Sequence, residues 1–175
     1  LSRMNVIGEI KSDRMTVQPG AVLAELRDAL DDSDWFFPSD LTETTATIGG
    51  MVANNASGAR SFRYGSVRPW IYGLTVVLPR GEVVKLERGV DRADGRSFKL
   101  GFIEGELPEL PMPAVKTAAG YFVQSDMDLV DLFIGAEGTL GIVTEATLQL
   151  LPKINTICGL TAFFSDEVQA LNFVR

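Results

Sequence analysis

The stretch "ATIGGMVANNASGARSFRYGS", residues 46 to 66, limits what this chain can build more than any other part of it. Glycines at Gly49, Gly50, Gly58 and Gly65, alanines at Ala53, Ala56 and Ala59, and the adjacent amides Asn54 and Asn55 surround a short apolar run of Ile48, Met51 and Val52. That run alone would be an ordinary core helix, and its three apolar residues read as core. Side chains this short leave the backbone open to close approach by another segment or by a ligand. The plain reading of Gly49-Gly50 is a tight turn into a helix. Thr47 is placed to cap it, and a helix N-terminus bordered by small residues attracts anions, such as the phosphates of a cofactor.

A second glycine-punctuated loop, "GAEGTLGIVTEA" at residues 135 to 146, runs into a clean strand pattern. Two backbone-exposing loops suggest one extended ligand. Neither loop carries a G-x-G-x-x-G fingerprint opening a βαβ unit or a G-x-x-x-x-G-K-[ST] phosphate loop, which disfavours an ordinary Rossmann or kinase-like answer.

The surrounding pattern is mixed. The opening "LSRMNVIGEIKSDRMTVQPG" reads as two short strands parted by Lys11 to Asp13, with Pro19-Gly20 as a turn. The spacing in "AVLAELRDAL" puts Val22, Leu23, Leu26 and Leu30 on one face of an amphipathic helix. Trp70 to Leu86 reads as a β-hairpin turning at Pro79-Arg80-Gly81. Arg88 to Pro113 has Gly and Pro punctuation without a sustained period, and reads as a long surface excursion. "MDLVDLFIGAEG" reads as a short helix ending in glycine. In "IVTEATLQL", Ile142, Ala146, Leu148 and Leu150 alternate with Val143, Glu145, Thr147 and Gln149, a half-buried strand. Beyond Pro152, "ICGLTAFF" is a strand candidate, and Ser165 is a cap for a helix with Asp166 and Glu167 in its first turn. Such a mixture of strands, helices and hairpins indicates an α+β fold.

Composition removes several function classes. Histidine is absent, which excludes Ser-His-Asp or Cys-His nucleophilic sites and His-ligated metals within these residues. The net charge of -7, with no cluster of Lys and Arg, disfavours nucleic acid as a partner. Cys158 stands alone, so no disulfide forms within the chain. With neither a signal-peptide core nor an apolar run of membrane-spanning length, the expectation is a cytoplasmic protein without an integral membrane segment.

Together with "FPSD" at Phe37 to Asp40 and "KTAAGY" at Lys116 to Tyr121, the blocks at Thr47 to Val67 and Gly135 to Leu150 resemble, in order and spacing, the FAD-binding domain of the vanillyl-alcohol oxidase/p-cresol methylhydroxylase (PCMH-type) superfamily. The branch is that of glycolate oxidase GlcD-type and D-lactate dehydrogenase-type flavoproteins. The resemblance implies an α+β domain holding FAD extended between two subdomains, this chain being the second. It implies cofactor contacts at Pro38, Ser39 and Asp40 along the channel, and at Thr47, Ile48, Gly49 and Gly50 near the pyrophosphate or ribityl chain. Asn54, Asn55, Ala56, Ser57 and Gly58 would continue that wall, with Glu137, Gly138, Thr139, Gly141, Ile142 and Val143 on the adenosine side.

The implied reaction is oxidation of a small-molecule hydroxy acid of the D-lactate, glycolate or D-2-hydroxyglutarate class. A base takes the hydroxyl proton as hydride passes from the α-carbon to flavin N5; no residue here reads as that base, and the electron acceptor is left open. Thr117 departs from the Asn that commonly follows the family's Lys. Arg60, Arg63 and Arg68 read as solvated charges, one of which can pair with a phosphate. The family's pyrophosphate loop would precede Leu1 and its substrate-binding cap would follow this region. The expectation is therefore a flavin domain over residues 1–153, the start of a cap over 154–175, and weak FAD binding by this piece alone. Two other classes stay open: a noncatalytic flavin- or nucleotide-binding module, and oxidation of a sugar or another alcohol.

Overall fold

In chain order the computed structural model contains β1 (Ile7–Lys11), β2 (Arg14–Val17), α1 (Leu23–Leu30), β3 (Trp35–Phe36), α2 (Ile48–Ala53), α3 (Ser61–Tyr64) and a 3-10 turn at Arg68–Trp70. It continues with β4 (Ile71–Val77), β5 (Val83–Glu87), β6 (Ser97–Leu100), β7 (Ile103–Glu106), a second 3-10 turn at Leu129–Leu132, β8 (Ile142–Gln149), β9 (Leu151–Pro152) and α4 (Glu167–Val174). The structure describes residues 3–115, 117–118 and 120–174.

An antiparallel sheet in the order β1-β2-β8-β4-β5 organises this α+β fold. β8 arrives from late in the chain and pairs on both sides, setting Leu148 opposite Met15, and Ala146 opposite both Val17 and Leu74. Those five residues are buried, in one cluster with Leu23, Leu26 and Leu30 of α1 and Ile48, Met51 and Val52 of α2. Each side chain of Leu or Ile size fully buried here contributes about 1.5–3 kcal/mol. Alternation sends the neighbouring residues to the opposite, polar face. There the Thr16 and Thr147 hydroxyls lie 3.0 Å apart, and the Arg14 guanidinium sits 3.4 Å from the Tyr72 ring centroid. Among the described residues no helix is long and apolar enough to cross a membrane.

Several local expectations are corrected. The excursion from Arg88 to Pro113 contains the β6–β7 hairpin, turning at Gly101 (φ +58°) and held by a Lys99–Glu104 pair at 2.6 Å. Its strands are short, and β7 is exposed throughout, so no inward apolar period marks it. "ICGLTAFF" forms no strand: its residues are exposed, and among the described residues no neighbouring strand offers them a ladder. The α4 cap is Asp166 rather than Ser165, its carboxylate accepting from the Gln169 amide at 2.9 Å. Leu129–Leu132 closes as a 3-10 turn rather than an α-helix. Ile142, expected to face inward, is exposed; an irregularity opposite Thr75 and Val76 breaks the alternation between it and Ala146.

Candidate cofactor site

The glycine-rich stretch folds as expected in one respect. Thr47 caps α2, its Oγ1 accepting from the Gly50 amide at 3.2 Å, and Ile48, Met51 and Val52 are buried in the core. The anion-receptive helix end is not formed. The Ile48 N–H donates to the Ala21 carbonyl and that of Gly49 to the Pro19 carbonyl, each at 2.8 Å, so with Gly50 capped these first-turn donors are engaged within the protein.

The short side chains have two separate causes. A Cβ on Gly49 would lie 2.7 Å from Pro19 Cβ, one on Gly58 1.8 Å from the Asp40 carbonyl oxygen, and one on Gly141 2.6 Å from Val76 Cγ1. At these three positions the protein itself fills the space. A Cβ on Gly50 would meet Thr47 Oγ1 at 3.2 Å and, outside its own helix, no other described atom within 4 Å; one on Gly138 (φ +76°) would meet no described atom within that distance. Of these two, only Gly138 borders open space.

The separated sequence blocks meet. The Ala59 amide donates to the Asp40 carbonyl at 3.0 Å, joining the Phe37 to Asp40 segment to the end of the glycine stretch. The Val52 and Ala53 carbonyls accept from the Gly135 and Glu137 amides at 2.9 and 3.0 Å, joining α2 to the second glycine loop. Asn55, buried with φ +44°, turns the chain after α2, and its Oδ1 accepts from the Arg68 amide at 3.2 Å.

Along this wall Pro38 and Ser39 are buried, and among the described residues the Ser39 hydroxyl has no hydrogen-bond partner. Asp40 is occupied by Arg27 and by Arg60, the latter at 3.0 Å. Asn54 is exposed, its Nδ2 donating to the Gly50 carbonyl at 2.9 Å, and Ala56 and Ser57 are half-buried. Glu137 (φ +51°) is exposed; Thr139 donates to the Ala136 carbonyl at 2.6 Å and lies 2.7 Å from the Tyr121 hydroxyl. Ile142 is exposed and Val143 half-buried. Lys116 lies outside the described residues.

Sequence reasoning missed the polar centre beside this wall. Arg68, read as a solvated charge, keeps only 14% of its side chain exposed. It donates from Nη1 to the Asp131 carbonyl and from Nη2 to the Ile134 carbonyl, both at 2.6 Å, and its guanidinium carbon lies 4.4 Å from the Phe122 ring centroid. Asp131 is buried and also takes Arg88 in a two-pronged pair at 2.7 and 2.9 Å. Burial holds the Arg68 guanidinium below its ordinary value, Asp131 offsetting only part of that effect. For Arg88 burial acts in the same downward sense, but Asp131 and Asp128 outweigh it and hold the group above its ordinary value. The available signal was Asp128 and Asp131 inside the apolar run "MDLVDLFIGAEG", since a buried carboxylate needs a cationic partner.

These residues fit an extended dinucleotide along one wall. Gly138 borders open space, Ile142 is exposed and the buried Ser39 hydroxyl has no hydrogen-bond partner among the described residues, while the first-turn amides of α2 would contribute nothing to phosphate binding. Beside the wall lies a cavity of about 330 Å³, lined among others by Asn55, Ser66, Arg68, Phe122 and Gln124.

Residues 1–87 match the family model described as an FAD binding domain. Over 162 residues the chain is 35% identical to a D-lactate dehydrogenase of Anaerostipes hadrus, covering 91% of this chain and 28% of that protein. It is 34% identical to glycolate oxidase subunit GlcD of Bacillus subtilis over 166 residues, 93% of this chain and 29% of that one. With a D-2-hydroxyglutarate dehydrogenase of Stutzerimonas stutzeri it shares 35% identity over 150 residues, 84% of this chain and 26% of the relative. The chain thus spans less than a third of the curated relatives it matches. A solved alkyldihydroxyacetonephosphate synthase superposes with a TM-score of 0.60 at 21% identity, covering 89% of this chain and 23% of that one, a likeness of fold.

Proposed function

Because this chain belongs to the PCMH-type family of FAD-binding domains, we propose that the whole protein is an FAD-dependent oxidoreductase acting on a small 2-hydroxy acid, and that this chain forms one wall of its flavin site. The observation carrying the reading is the pair of hydrogen bonds from Gly135 and Glu137 to the Val52 and Ala53 carbonyls, which brings both glycine-punctuated loops to one place. A single extended ligand can then touch both. Gly50 and Gly138 would admit the cofactor close to the backbone, and the Ser39 hydroxyl would find in it the partner it lacks. FAD, when bound, supplies the acceptor for hydride from the substrate's α-carbon. The chain's own part is to position the cofactor and exclude water, with Asn55 holding the turn between the loops. The relatives named for D-lactate, glycolate and D-2-hydroxyglutarate favour a hydroxy acid over a sugar alcohol.

The test is anaerobic addition of each of these three acids to the purified whole protein. Bleaching of a flavin absorbance band by one of them is expected. A protein that purifies without flavin and takes up none, or one whose flavin no hydroxy acid reduces, would refute the reading.

A further inference from the structure

Arg68 carries five N–H groups and spends them unevenly. Nη1 serves the Asp131 carbonyl and carboxylate and Nη2 the Ile134 carbonyl, while among the described residues Nε–H makes no hydrogen bond. Arg68 is among the residues that line the cavity, and 14% of its side chain stays accessible. In any guanidinium Nε–H and one Nη2–H share an edge of the planar group, the fork that grips two oxygens of a carboxylate or phosphate. The Phe122 ring contact and the two carbonyl contacts hold the guanidinium in place before any ligand arrives. Charge supports the same conclusion: Asp131 is shared by Arg68 and Arg88, and whereas Arg88 has Asp128 as well, Arg68 has no second carboxylate among the described residues. Asn55, Ser66 and Gln124 add neutral polar groups to the lining, and about 330 Å³ suits a small acid or one end of a larger molecule.

We propose that the open edge of Arg68 is an oxyanion seat, taking a carboxylate or phosphate group in this cavity. The proposal deepens the flavoprotein reading and rests on it only for the source of the anion, which is the substrate's carboxylate or a phosphate of the cofactor.

The test compares the whole flavin-loaded protein with two variants. Arg68→Lys keeps the charge and loses the fork; Ala118→Trp fills the cavity from an exposed position on its lining and leaves Arg68 intact. Each is titrated with oxalate and with inorganic phosphate at constant ionic strength, reading the flavin absorbance band, the FAD content and the thermal midpoint. Wild-type protein is expected to respond saturably to at least one anion beyond a chloride control, and both variants to weaken that response about tenfold or more, the worth of one charge-assisted pair. A lost oxalate response with FAD content unchanged supports the seat and assigns it to the substrate's carboxylate. A loss of FAD that excess FAD restores supports it and assigns it to the cofactor's phosphate. Wild-type indifference to both anions, or variants with unchanged anion affinity and FAD content, overturns the proposal. Should Arg68→Lys fail to fold, Ala118→Trp decides by the same criteria. If the protein carries no flavin, it is the flavoprotein reading that fails, and the seat is judged on the thermal midpoint of the apoprotein with the same anions and variants.

Discussion

Replacing Gly58 by Ala should destabilise the whole protein, whereas the same change at Gly50 should spare the fold and weaken FAD binding. The Gly58 Cβ would stand 1.8 Å from the Asp40 carbonyl oxygen, 2.5 Å from its carbon and 2.7 Å from Leu41 Cα. Ordinary contact begins at 3.4 Å, so the Asp40 carbonyl oxygen must retreat by about 1.6 Å, the difference between 3.4 and 1.8, and the other two atoms by less. Backbone cannot rotate away as a side-chain tip can. The retreat would break the Ala59-to-Asp40 hydrogen bond, now 3.0 Å, and strain the pairs of Asp40 with Arg27 and Arg60. Overpacking of this kind costs about 1–3 kcal/mol and a lost backbone bond about 1 more, while the partly exposed ion pairs add little. The expected loss is therefore about 2–4 kcal/mol. At Gly50 the one described atom outside its own helix within 4 Å is Thr47 Oγ1 at 3.2 Å, a side-chain tip that can yield by about 0.2 Å, and Ala is the better helix former, so stability should stay within about 1 kcal/mol of wild type. Urea midpoints and flavin content of the two variants are the measurements. A Gly58→Ala protein with the wild-type midpoint would refute the packing argument, and a Gly50→Ala protein with undiminished FAD affinity would refute the open wall.

Asp131→Ala takes from half-buried Arg68 its carboxylate and leaves Arg88 with Asp128 alone, and should cost about 3–5 kcal/mol in the urea midpoint; a loss under about 1 kcal/mol would contradict the burial of this network. Thr47→Ala removes the α2 cap and should cost about 1 kcal/mol, with Thr47→Ser close to wild type because the hydroxyl returns. The Gly95 amide, first, and the Ser125 hydroxyl hold the Asp126 carboxyl below the ordinary carboxylate range. A carboxyl lowered in the folded state contributes stability above its unfolded pKa and loses it as pH falls through the folded one, so wild-type protein should lose more of its thermal midpoint on acidification than Asp126→Asn. Parallel acid profiles would count against that contact.

How much was legible in the residues depends on the distance over which each interaction acts. Leu23, Leu26 and Leu30 mark the buried face of α1, Thr47 marks a cap, and Ala146 and Leu148 mark the inward side of β8, with Leu150 just after it, because helix and strand periods repeat within a few residues of themselves. The order of the blocks at Phe37, Thr47, Lys116 and Gly135 likewise carried the family resemblance without coordinates. Sequence spacing did not reveal that β8 inserts between β2 and β4, placing Thr147 beside Thr16 across 131 positions. Nor did it tell Gly49, packed on Pro19, from Gly138, which borders open space, since a missing Cβ is the same residue whichever neighbour arrives. Arg68 shows the limit most plainly. Its charge was visible, but its burial follows from a carboxylate 63 residues later and an aromatic ring, and only the folded chain brings these to one point. Local periods are written in the order of residues, whereas the energy of a long-range pair exists only where tertiary packing has closed the intervening loop and removed the water.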